Sequence, residues 1–139
     1  MKVVFDLDGT ICNIEHILPL WETDRDQFFA RLGEAEVIEQ IKTLFNMAYK
    51  YSGVIYTARP EKTRITTAIW CQENGIYYDN LLMRADDDER DDVTVKIEML
   101  KKAGLTPDEV LFIVEDRTCV VRALRELGYT VLQCANGDY

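Results

Sequence analysis

Apolar residues fall in two alternating rhythms along this chain. Short runs of β-branched and aromatic residues, at 3–5 (VVF), 54–56 (VIY), 81–83 (LLM), 110–114 (VLFIV) and 129–134, predict buried strands. Between them apolar residues recur at helical spacing. Val37, Ile38, Ile41, Leu44, Phe45 and Ala48 predict a helix over 34–51, closed by Ser52-Gly53. Further helices are predicted over 61–74, 93–103 and 120–127, each followed by a glycine that can stop it: Gly75, Gly104 and Gly128. One segment, 11–32, breaks the rhythm. Leu18-Pro19-Leu20-Trp21 is apolar, and Thr23-Asp24 can cap a helix through Gln27, Phe28, Phe29 and Leu32. Strands alternating with helices predict a parallel sheet covered on both faces, a three-layer α/β/α domain. The mixed segment, approximately 12–33, reads as a small helical cap inserted after the first strand. Trp21, Phe28 and Phe29 either pack inward there or stack on a substrate base.

Composition narrows the class without changing this outline. A chain of 139 residues, 47% hydrophobic and 29% charged, is an ordinary globular domain with room for a core. There is no membrane-length apolar run and no signal peptide, so a cytoplasmic protein is expected. Net charge is −9, which argues against stable gripping of duplex nucleic acid. The four cysteines, Cys12, Cys71, Cys119 and Cys134, form no C-x-x-C pair, so they read as reduced. Cys119 and Cys134 are expected in the core, and Cys12 near the strand-end chemistry.

The chemistry-bearing residues gather where the strands end. Asp6-Leu7-Asp8-Gly9-Thr10 follows the first apolar run directly. Ligand crevices in open α/β sheets lie at the carboxyl ends of the strands, which puts Asp6 and Asp8 at a site. Paired carboxylates repel one another and resist desolvation unless a cation joins them, and a hard divalent ion prefers oxygen ligands. A calcium loop is excluded, because Gly9 stands at its fourth position rather than the sixth and Ile17 occupies the place of its bidentate Glu. Taken alone, the stretch also reads as a polar turn.

Thr57-Ala58-Arg59-Pro60 follows the second strand. A hydroxyl, free backbone N–H groups and a helix start suit an anionic oxygen, and Arg59 is placed to grip a phosphate. The plain alternative is a helix cap at Thr57. Arg84 follows the third strand. The acidic run at 86–92 reads as a solvated loop, with a second metal site as the sharper alternative. Its last member, Asp92, precedes Lys96 by one helical turn, so the two share a face. A lysine reaching among carboxylates would hold nucleophile and phosphate charges together. Glu115-Asp116 end the strongest strand and form a second acidic pair. His16, the single histidine, is a candidate substrate contact against the commoner role of a structural hydrogen-bonder.

In order, F-D-L-D-G-T at 5–10, Thr57 after its strand, Lys96, and Glu115-Asp116 after theirs resemble the motifs of the haloacid dehalogenase (HAD)-type phosphohydrolases. Together they span nearly the whole chain. V-E-D-R-T-C-V-V at 114–121, R-E-L-G-Y at 125–129, A-N-G-D-Y at 135–139, I-Y-T-A-R-P at 55–60 and D-D-V-T-V-K at 91–96 are similar to the 3′-phosphatase domain of bacteriophage-type polynucleotide kinase/phosphatases. Glu115 departs from the Asp usual there. The basic residue that follows the first motif in that domain has no clear match in Ile14-Glu15-His16-Ile17. The kinase half has no counterpart, since no G-x-x-x-x-G-K-[ST] occurs.

The resemblance implies a Rossmann-like fold and a Mg2+-dependent phosphomonoesterase. Asp6 would attack phosphorus to give an aspartyl-phosphate, and Asp8 would protonate the leaving alcohol and then activate water. Lys96 would support the charges. Thr57, Ala58, Arg59, Arg84 and His16 would face the substrate. Metal ligands would come from Asp6, Asp8 through its carbonyl, and Glu115 or Asp116. The expected substrate is a 3′-phosphorylated DNA or RNA end. Alternatives are a phosphatase of small nucleotides, a non-catalytic binding module and, least favoured for so small an insert, a phosphotransferase.

Overall fold

The computed structural model describes residues 1–48 and 50–139. Tyr49, inside the helix expected over 34–51, lies outside the described residues. The elements run β1 (Lys2–Phe5), β2 (Cys12–Asn13), α1 (Leu20–Thr23), α2 (Arg25–Ala30), β3 (Glu36–Val37), α3 (Glu39–Met47) and β4 (Ser52–Pro60). They continue with α4 (Arg64–Glu73), β5 (Asn80–Arg84), α5 (Asp92–Lys102), β6 (Val110–Arg117), α6 (Thr118–Glu126) and β7 (Val131–Gly137). Five strands make one sheet in the order β5-β4-β1-β6-β7, and every pairing is parallel. The strand that comes first in sequence is therefore central. The chain winds outward from it through β4 on one side and β6 on the other, and the winding reverses beside β1, the place where ligands bind in open α/β sheets.

Strand alternation sorts the core into two layers. Val3, Phe5, Ile55 and Val114 face one way, onto Phe45 of α3 and Trp70 and Cys71 of α4. Val4, Val54, Tyr56 and Ile113 face the other, onto Val95, Met99 and Leu100 of α5 and Val120, Val121 and Leu124 of α6. The same parity carries on past the apolar runs. Asp6, two residues after Val4, and Glu115, two after Ile113, fall on the α5 side. That is the side from which Lys96 reaches them.

Several element bounds differ from expectation. The helix foreseen over 34–51 shrinks to α3, because Glu36–Val37 pair antiparallel with Cys12–Asn13 before it starts and Ser52-Gly53 belong to β4 after it. That two-strand ladder pinches the ends of the inserted segment together. Within the insert, Asp24 caps α2 through the Gln27 N–H as its sequence suggests, and Ile14, Ile17, Phe28 and Leu32 bury into the α4-side core. Trp21, Phe28 and Phe29 pack edge to face at 5.2–6.1 Å. β6 runs through the acidic pair to Arg117 instead of stopping before it. Cys119 is exposed on α6 rather than in the core, and Cys134, on the edge strand β7, is half-buried and packs against the core from its margin. Among the described residues no helix is long and apolar enough to cross a membrane.

Candidate active site

At the carboxyl end of β1 the apolar run gives way to Asp6, which is nearly inaccessible to solvent. One of its oxygens accepts a bond from the Lys96 ammonium at 2.8 Å, and the other accepts from the Thr10 hydroxyl at 3.2 Å. Lys96 also donates to Glu115 at 2.7 Å. Thr10 lies within reach of Asp116 as well, at 3.4 Å. The turn between these residues depends on Gly9. Its φ of +85° suits glycine, and a Cβ there would sit 2.3 Å from an Asp116 carboxylate oxygen.

Asp6, Glu115 and Asp116 each offer a carboxylate oxygen, and these oxygens lie within 4.8 Å of one another. Three buried carboxylates face one ammonium, so the cluster is short of positive charge. Burial, with the Glu115 carboxylate beside it, pushes the Asp6 carboxyl well above its usual range, and Lys96 offsets this only in part. Burial also raises the Asp116 carboxyl. Glu115 moves the other way. Burial opposes its charge, but Lys96 and the Tyr56 hydroxyl hold its carboxyl below the usual range. The Lys96 ammonium is kept charged by both carboxylates despite its burial. An all-oxygen, charge-deficient cluster of this kind fits a hard divalent cation.

Glu115 and Asp116 are not equivalent within it. Both Glu115 oxygens are occupied. One accepts from Lys96 and from the Tyr56 hydroxyl at 2.7 Å, and the other accepts from the backbone N–H groups of Asp116 and Arg117 at 3.1 and 3.2 Å. Among the described residues, Asp116 accepts from the Tyr139 hydroxyl and shares the single Thr10 hydroxyl proton with Asp6. Asp116 is thus the freer carboxylate, and Glu115 anchors Lys96.

Asp8 is not part of that cluster. The Arg59 guanidinium donates to both of its oxygens, through Nε at 2.8 Å and through a terminal nitrogen, and Arg59 reaches Thr67 at 3.1 Å with the other. Burial works against the charged Asp8 carboxylate, yet Arg59 outweighs it and holds the carboxyl below its usual range. The Cys12 thiol lies beside them, 3.3 Å from Asp8, and burial pushes it well above the ordinary thiol range.

Thr57 stands one residue beyond Tyr56 on β4, with its hydroxyl accepting the Arg59 N–H at 3.2 Å. The helix start expected there is displaced. β4 continues to Pro60, a 3-10 turn spans Glu61–Thr63, and α4 begins only at Arg64. A helix dipole therefore does not act at Thr57, because Pro60 keeps an extended conformation. Arg84 spends its donors on the carbonyls of Ala58, Asp88 and Arg90 and on Asp92. Asp92 also accepts from Arg117 at 2.7 Å, so two arginines grip it. The acidic run is tied to local partners: Asp86 accepts the Lys62 N–H, Asp88 pairs with Arg90, and Asp91 caps α5. His16 is exposed and bonds the Glu34 carbonyl at 3.1 Å, away from any of these groups.

Tyr56, Thr10, Tyr139 and Arg117 were not singled out from sequence as site residues. Tyr56 carried one usable signal, since a tyrosine in a fully buried strand must find a partner for its hydroxyl.

A search of curated proteins finds no significant match. Among solved structures, one from the Pnkp1/Rnl/Hen1 RNA repair complex is 26% identical with a TM-score of 0.86, over 99% of this chain and 43% of that one. A second Pnkp1/Rnl/Hen1 structure is 28% identical with a TM-score of 0.83, over 99% of this chain and 47% of that one. The chain thus spans less than half the length of either. A HAD family enzyme from Bacteroides thetaiotaomicron, solved as a magnesium complex, shares the fold at 15% identity, with a TM-score of 0.60 over 99% of this chain and 95% of that one. The family model for the polynucleotide kinase PNKP phosphatase domain matches residues 1–139, and the chain belongs to that family of HAD-type phosphatase domains.

Proposed function

We propose that this domain is a magnesium-dependent phosphomonoesterase that removes 3′-phosphate from DNA or RNA ends through an aspartyl-phosphate on Asp6. The observation that carries the reading is the placement of Asp6: a buried carboxylate at the end of the central strand, held by Lys96 beside a second acidic pair. A nucleophile in that position is oriented by its hydrogen bonds and sits at the carboxyl end of the central strand, where ligands bind in open α/β sheets. Its Lys96 partner offsets the repulsion between two anions as they approach.

Asp6, the main-chain carbonyl of Asp8, and Asp116 would hold magnesium, which supplies charge neutralisation and polarises the phosphoryl oxygens. Glu115 fixes Lys96. Thr57 and the backbone after it receive the phosphate oxygens. Arg59 orients Asp8 through both oxygens. An incoming phosphate competes for the guanidinium, which weakens its hold on the ionised form of Asp8 and lets Asp8 carry the proton it gives to the leaving alcohol. Arg84 organises the loop between β5 and α5, and His16 takes a structural role. The two Pnkp1 neighbours come from an RNA repair assembly, which favours a nucleic-acid end over a free nucleotide. The net charge of −9 is the observation favouring the second reading, a phosphatase of small nucleotides.

Phosphate release from a 3′-phosphorylated oligonucleotide and from 3′- and 5′-mononucleotides tests both, with magnesium or EDTA and with Asp6→Asn alongside. Release from the oligonucleotide that requires magnesium and disappears in Asp6→Asn is the expected result. Preference for mononucleotides would transfer the conclusion to nucleotide dephosphorylation, and release by Asp6→Asn at the wild-type rate would remove Asp6 from the chemistry.

A further inference from the structure

We infer that Tyr139 is a positioning residue for the divalent cation, its hydroxyl fixing the Asp116 carboxylate in the orientation that receives the ion. The inference rests on the reading of Asp116 as a metal ligand.

The chain beyond β7 is brought to Asp116 by an unusually close approach. Gly137 pairs with Arg117 across the last sheet register. A Cβ on Gly137 would lie 2.1 Å from the Asp116 carbonyl oxygen and 2.6 Å from the Arg117 Cα, so only glycine lets β7 come this close to β6 here. Two residues on, Tyr139 is held by three contacts. Its N–H donates to the Gly137 carbonyl at 2.9 Å, its carbonyl accepts from the Arg117 guanidinium at 2.9 Å, and its ring lies 5.3 Å from the same guanidinium. With ring and backbone fixed, the hydroxyl donates to one oxygen of Asp116.

Without that bond the Asp116 side chain keeps one partner among the described residues, the Thr10 hydroxyl at 3.4 Å, shared with Asp6. Asp6 and Glu115 are each set by Lys96, which does not bond Asp116. A neutral hydroxyl suits the task. It occupies one lone pair of a carboxylate oxygen, leaves the charge intact and leaves the remaining lone pairs for a cation. Groups that bond a ligand from outside commonly contribute 10- to 100-fold to metal affinity, by restricting the ligand to its binding rotamer. Tyr139 is 70% exposed, so deleting its hydroxyl empties no core space.

The test is titration of the metal-free domain with Mn2+ and Mg2+ by calorimetry, with the Mn2+ paramagnetic resonance spectrum as a second readout, for wild type, Tyr139→Phe and Asp116→Asn. Tyr139→Phe keeps the ring and the backbone contacts. The expected result is about tenfold weaker Mn2+ binding in Tyr139→Phe, an altered Mn2+ spectrum, an unchanged metal-free melting temperature, and still weaker binding in Asp116→Asn. Weak binding by Asp116→Asn with Tyr139→Phe equal to or tighter than wild type overturns the positioning role and leaves the metal site standing. Wild-type affinity in Asp116→Asn overturns the assignment of Asp116 itself, and the inference with it.

Discussion

Among the described residues Lys96 is the one ammonium bonded to the cluster of Asp6, Glu115 and Asp116, and its removal leaves buried like charges facing each other. Lys96→Met is expected to cost about 3–5 kcal/mol in urea unfolding without metal, the range for breaking a buried pair. Magnesium should restore more stability to this variant than to wild type, and equal restoration would argue that no cation enters the cluster. Arg59→Lys tests geometry at constant charge. Lysine cannot reproduce the fork on Asp8, so activity should fall by at least tenfold, while Arg59→Ala should cost about 3 kcal/mol. That is the low end of the buried-pair range, because Asp8 keeps 25% of its side-chain surface. Asp6, Asp8, Glu115 and Asp116 could be placed at the strand ends from sequence because each directly follows an apolar run, whereas Lys96, inside a helix, was read into the site through the motif resemblance. The roles of Thr10, Tyr56 and Tyr139 could not be read, since they arise from register between strands far apart in the chain. Arg59 was foreseen as a phosphate donor, and its grip on Asp8 follows from the close packing of β4 against the turn after β1.

Element α5 carries Lys96 into the site, and its start is set by Asp91, whose side chain accepts the Thr94 N–H at 2.9 Å. Asp91→Ala should lower the melting temperature by fraying that first turn. The backbone N–H groups of Thr94 and its neighbours hold the Asp91 carboxyl below its usual range. A depressed folded value means the contribution is complete above the unfolded carboxyl value of about 4 and fades as pH falls through the folded one. The melting difference between wild type and Asp91→Ala should therefore be constant near neutrality and close in strong acid; a difference independent of pH would show that the carboxylate is not the cap. At this scale the sequence announced the five strands of the main sheet and the helices between them, missed β2 and β3, and misjudged several ends. The β2–β3 ladder took residues from the expected helix over 34–51, and β4 and β6 each ran past their apolar cores. Strand pairing continues wherever a neighbour offers hydrogen bonds, and apolar patterning does not record that.

For the molecule as a whole, a net charge of −9 meets an anionic substrate. Rates on a 3′-phosphorylated oligonucleotide and on a 3′-mononucleotide should be compared across salt concentrations. If the polymer is gripped by local cations, its rate falls more steeply with salt than the mononucleotide's; parallel slopes would point to recognition of the terminal nucleotide alone. The overall architecture was legible because alternation of strand and helix admits few topologies. The outward winding from β1 was not, since sheet order depends on which crossovers pack best. That order has a consequence for how the protein is made. Of these strands β1 is made before the others, yet it gains its second neighbour only when β6 arrives, and Asp6 meets Lys96 across 90 residues of chain and Thr10 meets Asp116 across 106. A nascent chain therefore cannot complete the pairing of its central strand early. Collapse to the native sheet and assembly of the acidic cluster become one event, so partly made chains pass through synthesis without hydrolytic activity.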